Sequence, residues 1–514
     1  MLLLMDHEKY DNDPIDWMGC ERDIDMIIFN PATTANWLGR EINIIDFFSV
    51  WESHTMRVID GGVTLLSATS EIQPLMIKSR KAQIKHNIPS VIFVGEIEKK
   101  GADFFALVQQ IGDRLPTVPL VMQLPINEGE EFVGLVDLIG MKELIWEKIF
   151  DDDCFSSYYI DKPTEHEIRK ELISQAIAYR HKIIEQIAEV DGNENIMEKF
   201  LENKHISQEE MVEAIRVATI SMAVTPIFIG CLSRNKGLKK LLDAVVDYLP
   251  APSVDIEAEN MDNHENLTLY VKENEPFVGM VFAVYTDPFL GELSVVCVYR
   301  GSLTLGSHVY NSTQNKKEKI NQMFKMYATK REETSKFFAG EIAHVVGLKA
   351  KIGDILCDPS HKVMLKKPKI LEPSLFVKVV VREKSSQEGT IEYAFRKLSR
   401  ENSLCMISYG ESLYDPILIY GDSKLWLKKA VHRLKDEFKL DIVSNKPQII
   451  YYQTIKTTFE KEYIYQKAPT SHSQETFDHL CLKLEPQERG EGYRFVDEIK
   501  GGVIPKEFIY SINQ

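Results

Sequence analysis

Two glutamates stand first in a loop of this chain that has the setting of a ligand site. In "SVIFVGEIEKKGADFF" (90–105), Val91, Ile92, Phe93 and Val94 make a short apolar run between Pro89 and Gly95, which predicts a buried strand. Open α/β sheets hold their ligands beyond the carboxyl ends of such strands. Glu96 and Glu98 are the first side chains available there. Carboxylates supply acceptors and negative charge, whereas a phosphate leaving water needs donors and a cation. No other familiar chemistry replaces it. The chain contains no H-E-x-x-H, G-x-S-x-G or Rossmann G-x-G-x-x-G, and no paired Cys/His spacing for a metal. Glu130 and Glu131 read as solvated loop charges, and Trp17, Trp37, Trp146 and Trp426 as core.

The elements around that loop alternate. Residues 41–66 hold two apolar strands around a polar helical stretch, "GADFFALVQQIGDRL" has helical spacing, and "VPLVMQLPI" reads as a further strand. This order predicts a parallel α/β sheet. Between about 126 and 222 helical periodicity takes over, including a capping box at Ser207 and Glu210, so this stretch reads as a helical insertion. "TPIFIG" and "GLKKLLDAVVDYL" resume the α/β pattern, and the acidic "PAPSVDIEAENMDNHEN" (250–266) reads as a linker. Short strands punctuated by glycine then predict a small β-barrel or sandwich over 267–362. Strand-helix-strand-strand-helix-strand over 363–447 is the ferredoxin-like order, and 448–514 starts another β-rich unit.

Composition sets outer limits. The 514 residues are 44% hydrophobic and 27% charged, which is globular and enough for three or four domains. A net charge of −16 argues against a general nucleic-acid binder and against free DNA as partner, while leaving room for a local patch. Lys351, Lys362, Lys366, Lys367 and Lys369 form such a basic stretch, which reads as a solvated linker. Seven scattered cysteines without C-x-x-C suit reduced thiols. "MLLLM" lacks the features of a signal peptide, and no apolar run reaches membrane-spanning length. The expected compartment is cytoplasmic, with an organellar matrix as the alternative.

The order of parts, with many colinear strings, resembles elongation factor G of the translational GTPase family. The strings include "ATTANWLGREINIID" (32–46), "RVIDGGV" (57–63), "QLPINEGEEFVGLVDLIGMK" (123–142), "NKGLKKLLDAVVDYLPAP" (235–252), "EPFVGMVFAVYTDPFLGEL" (275–293) and "LKLEPQERGEGYRFVDEIKGGVIPKEF" (482–508). The resemblance implies a P-loop-GTPase-like domain over 1–266, a translation-factor barrel, a ferredoxin-like third domain and a partial fourth domain. It also implies a ribosomal partner, contacted at the small subunit and the factor-binding region.

Against the family's motifs the chain departs at each nucleotide contact. It carries no G-x-x-x-x-G-K-[ST], and its matching strings start after that point, as in an N-terminally truncated member. Where the family has R-G-I-T-I, this chain has Arg22-Asp23-Ile24-Asp25-Met26; Asp46 is followed by "FFSVW" in place of D-T-P-G-H, and His54 falls in the helix beyond. The base-reading N-K-x-D falls on Gly95-Glu96-Ile97-Glu98, and the final S-A on Cys231-Leu232. "APTSHSQETFD" (468–478) lacks the glycines of the fourth domain's tip, and the string ends as in a C-terminally truncated member. The expectation is therefore a nonenzymatic, ribosome-associated relative with degenerate GTP-site positions Asp25, Asp46, Gly95, Glu96, Glu98, Cys231 and Leu232, no catalytic residue and no metal. No cofactor is expected, and GTP with Mg²⁺ only if the family activity is kept. Two alternatives stand beside it: an active translational GTPase whose site is displaced or completed by another chain, and a decaying copy without function.

Overall fold

The computed structural model describes residues 32–45, 55–128, 131–146, 163–231, 234–252, 256–261, 263–287, 290–327, 330–366, 373–382, 384–401, 405–409, 416–421, 424–451, 454–467, 476–488, 493–499 and 509. They fall in two compact units, 1–448 and 449–514.

The first unit opens with an antiparallel hairpin of β1 (Ala32–Trp37) and β2 (Arg40–Ile45). Its two turn residues, Leu38 and Gly39, have φ of 47° and 70°. Two positive φ values in succession match the right-handed twist of the flanking strands, and glycine takes the second without cost. Next come β3 (Gly62–Ser67), α1 (Pro74–Lys85), β4 (Ser90–Gly95), α2 (Phe104–Arg114) and β5 (Pro119–Val121).

After β5 the chain adds an antiparallel sheet of β6 (Gln123–Glu128), β7 (Glu131–Asp137), β8 (Lys142–Ile145) and β9 (Thr164–His166), then α3 (Lys170–Ala188), α4 (Glu194–Leu201) and α5 (Gln208–Ile220). The helical insertion thus carries a four-stranded sheet as well. At the start of α5 both bonds of the capping box form, Glu210 N–H to Ser207 Oγ at 3.2 Å and Ser207 N–H to Glu210 Oε2 at 3.0 Å. The apolar stripe Met211, Ala214, Ile215 and Ala218 belongs to the same buried cluster as the parallel strands. β10 (Thr225–Ile229) and α6 (Leu238–Tyr248) complete the α/β part.

The parallel sheet runs β3-β4-β10-β5. Every residue of β4 and of β10 is buried, because helices cover both faces. α2 packs through Phe104, Leu107 and Ile111, and its first turn is capped by Asp103, whose carboxylate accepts from Ala106 N–H at 2.9 Å.

An eight-stranded antiparallel sheet follows, built around Val278–Asp287 and Gly291–Arg300. Both of its faces are apolar, one gathering Met280, Phe282 and Val295, the other Val281, Val296 and Val298. The strand Leu375–Val381, α7 (Lys384–Glu401), strands Met406–Ser408 and Ile417–Gly421, α8 (Lys424–Asp436) and strand Ile442–Ser444 then give the expected ferredoxin-like order. Leu375, Val377, Val379 and Val381 alternate into a core with Phe395, Leu398, Leu427 and Leu434. At its junction with the preceding sheet, Arg400 Nη1 donates to both carboxylate oxygens of Glu292 at 2.6 and 2.8 Å.

The second unit contains an antiparallel pair, Phe459–Lys467 with Thr476–Leu484. Among the described residues of the whole chain no helix is long and apolar enough to cross a membrane.

Candidate functional site

β3, β4 and β10 end side by side. Ser67 lies opposite Gly95, and Ile229 opposite Val94. Backbone bonds continue the line one residue further, Ala68 N–H to Gly95 O and Gly230 N–H to Val94 O, both at 3.0 Å. Loops leaving these strands therefore share one rim, where parallel sheets hold ligands.

The Gly95–Glu98 loop is closed by its own side chains. Ile97 is buried and anchors it. Glu96 has φ of 58°, in the left-handed region. Its Oε2 accepts from Ser67 Oγ at 2.5 Å and Thr69 Oγ1 at 3.5 Å, and its Oε1 pairs with Lys99 Nζ at 2.5 Å. The Lys99 ammonium, then the Ser67 hydroxyl, hold this carboxyl below the usual carboxylate range. Lys99 N–H returns to Glu96 O at 3.1 Å. A single carboxylate thus ties the end of β4 to the segment after β3.

The loop after β10 closes on itself. Cys231 N–H donates to Lys236 O at 3.0 Å and Lys236 N–H to Cys231 O at 2.9 Å, with Cys231 fully buried. Lys236 Nζ lies 6.0 Å and 5.9 Å from the ring centres of Phe132 and Trp146, and donates to Phe132 O at 3.4 Å. Burial lowers the pKa of this lysine; Cys231, Glu131 and Glu98 act in the opposite direction, and Arg234 adds to the lowering.

The structure brings together Gly95, Glu96, Glu98 and Cys231 on this rim. Asp25, Asp46 and Leu232 lie outside the described residues, as does His54. Ser67, Thr69, Lys99 and Lys236 belong to the same rim and were not singled out from the sequence. The strand-end rule applied to "LLSATS" (65–70) would have found the first two.

A guanine read as in the family needs a carboxylate free to accept two of its N–H groups, and a lysine stem lying along the ring. Here the lysine's place holds Glu96, whose oxygens are taken up by Ser67, Thr69 and Lys99, and the asparagine's place holds Gly95. The lysine's and asparagine's places therefore do not supply what that ligand takes from them, while the carboxylate's place holds Glu98. Among the described residues no three His, Cys, Asp or Glu side chains gather to hold a metal ion.

Three family models match the chain in order. They are the elongation factor Tu GTP binding domain over residues 4–251, elongation factor G domain 2 over 276–359, and elongation factor G domain IV over 447–514. A crystal structure of a protein from Thermus thermophilus superposes with a TM-score of 0.69 at 21% identity, covering 99% of this chain and 73% of that one. At that identity the likeness speaks for the fold.

Proposed function

The chain is an elongation factor G-like protein, and from that premise we propose that it is a nonenzymatic, ribosome-associating member that neither binds GTP tightly nor hydrolyses it. The observation that carries this reading is the Glu96 network: where the family has the lysine whose stem covers the base, this chain has a carboxylate held by Ser67, Thr69 and Lys99. Loss of the lysine stem over the base and of the asparagine that ties the loop together removes contacts that tight binding needs. The buried cores of the two following domains support a chain that still folds through its ribosome-facing middle.

Calorimetric titration of the full chain with GTP and GDP in Mg²⁺ buffer tests the first half. Flat isotherms from protein shown to be folded by circular dichroism are the expected result. Guanine-specific heat at micromolar concentration would overturn it and return the chain to the active GTPases. Sedimentation with ribosomes tests the second half: pelleting to the same extent with and without GTP is expected, and absence from the ribosomal pellet refutes it.

A further inference from the structure

We infer that the open face of the ferredoxin-like sheet binds single-stranded RNA, with bases stacking on Phe376 and Tyr420 and the backbone passing Lys378. This goes beyond the nucleotide reading and does not depend on it. The sheet is covered on one face by α7 and α8, through Phe395, Leu398, Leu427 and Leu434. Strand register fixes what the other face presents. Met406 lies opposite Tyr420, and Tyr420 opposite Phe376, making one row across three strands. Ser408, Leu418 and Lys378 make the next row, and Val380 with Val443 a third.

A sheet face turned to water is ordinarily polar. This one leaves Met406 57%, Val380 41% and Val443 47% exposed, beside the half-buried rings of Phe376 and Tyr420, whose centres are 6.0 Å apart. Contiguous exposed apolar surface marks an interaction site. Two observations select RNA as the occupant. First, four-stranded sheets of this topology read single strands by stacking two or three bases on aromatics of their open face, and the aromatics here sit on the two central strands. Second, charge is complementary. Residues 363–447 carry 16 Lys and Arg against 11 Asp and Glu, a net +5 in a chain of net −16. Lys378 is exposed within the aromatic face itself. A polyanion is drawn to this domain and to its open face, not to the acidic remainder.

The test is fluorescence anisotropy of the full chain with a fluorescein-labelled single-stranded RNA of mixed sequence, repeated over a salt series. Phe376→Ala and Tyr420→Ala should each weaken binding about 5- to 150-fold, the range for losing one stacked base. Phe376→Tyr and Tyr420→Phe keep the rings and should bind as the parent does. Lys378→Gln should lower the slope of log affinity against log salt by about 0.7. Hydrogen exchange of the Val377 and Ile419 amides, which lie in the covered core rows, verifies that each variant keeps its sheet. An unchanged anisotropy overturns the inference, as does equal binding by the alanine variants or equal affinity for duplex RNA. Flat RNA titrations combined with ribosome pelleting that is lost in the alanine variants would also overturn it, and would assign the face to a protein.

Discussion

Glu96 offers a direct test of whether the rim of the α/β sheet is held by its own side chains. Its backbone sits at φ 58°, where any side chain costs about 1 kcal/mol relative to glycine. Its carboxylate holds Lys99 and Ser67. The Lys99 pair is largely exposed and screened by solvent, so it contributes little. The Ser67 bond to a charged acceptor, discounted for its partial exposure, contributes about 1 kcal/mol. Glu96→Ala loses both and keeps the backbone cost, so local opening becomes easier by about 1 kcal/mol. Glu96→Gly loses the same bonds but sheds the strain, leaving little net loss. A full-chain melt is unsuited to this, because several domains do not unfold in one step. Amide exchange at Lys99 and Ala68, whose N–H groups bond Glu96 O and Gly95 O, reads the local opening instead. The glycine variant should be protected about fivefold better than the alanine variant, the factor that 1 kcal/mol gives. The carboxyl's pKa is lowered on folding, chiefly by Lys99 and then by Ser67. Protection from this side chain is therefore full above its ordinary value of 4.5 and is lost as pH falls through the lower folded value. Exchange in the parent as fast as in Glu96→Ala, or no difference between alanine and glycine, refutes the account.

Two further perturbations probe the scaffold. His344 is fully buried in the eight-stranded sheet, neither ring nitrogen meets a hydrogen-bond partner, and burial alone pushes its pKa from 6.5 down to about 3. The folded state thus resists protonation, so stability is full above 6.5 and falls by up to about 1.4 kcal/mol per pH unit below it; His344→Leu should flatten that slope in pH-dependent amide exchange of the sheet. Gly230 has no room for a side chain, since a Cβ would lie 2.3 Å from Lys236 O and 2.7 Å from the Phe93 ring. Gly230→Ala should cost about 1–3 kcal/mol or more and loosen the Cys231–Lys236 turn, seen as faster exchange at both amides.

What the sequence made legible was local. The apolar run of β4, the stripe of α2, and the Ser207–Glu210 pair all rest on residues within a few positions of one another, and the structure contains each. The strand-helix order of the ferredoxin-like domain was readable for the same reason. The sheet inside the insertion was not, because β6 to β9 are short and their pairing joins segments up to about twenty residues apart. At the rim, Glu96 could be found, but its partner Ser67 lies on a neighbouring parallel strand 29 residues earlier. Parallel pairing brings together positions that no periodicity connects. The placement of Lys236 beside Phe132 and Trp146, and the Met406–Tyr420–Phe376 row, depend on register in the same way.

The scaffold and the nucleotide contacts answer to separate energies. Val91, Ile92, Phe93 and Val94 are at most 1% exposed, and each such burial is worth about 1.5–3 kcal/mol. That fixes where β4 ends whichever side chains follow it. Glu96 and Glu98 lie past the end of β4 and outside the buried cluster, so their identities can change without moving the strand. In a nucleotide-bound member the ligand fastens the strand-end loops to one another. In this chain the Glu96–Ser67–Lys99 network fastens the loop after β4 to the segment after β3, and the Cys231–Lys236 turn closes the loop after β10. On the proposed reading the α/β part therefore holds one arrangement and presents the following domains without a nucleotide-driven switch. A binding face carried by those domains, such as the Phe376–Tyr420 sheet, would act in a single state, and its affinity for RNA should be the same with GTP, with GDP and with neither.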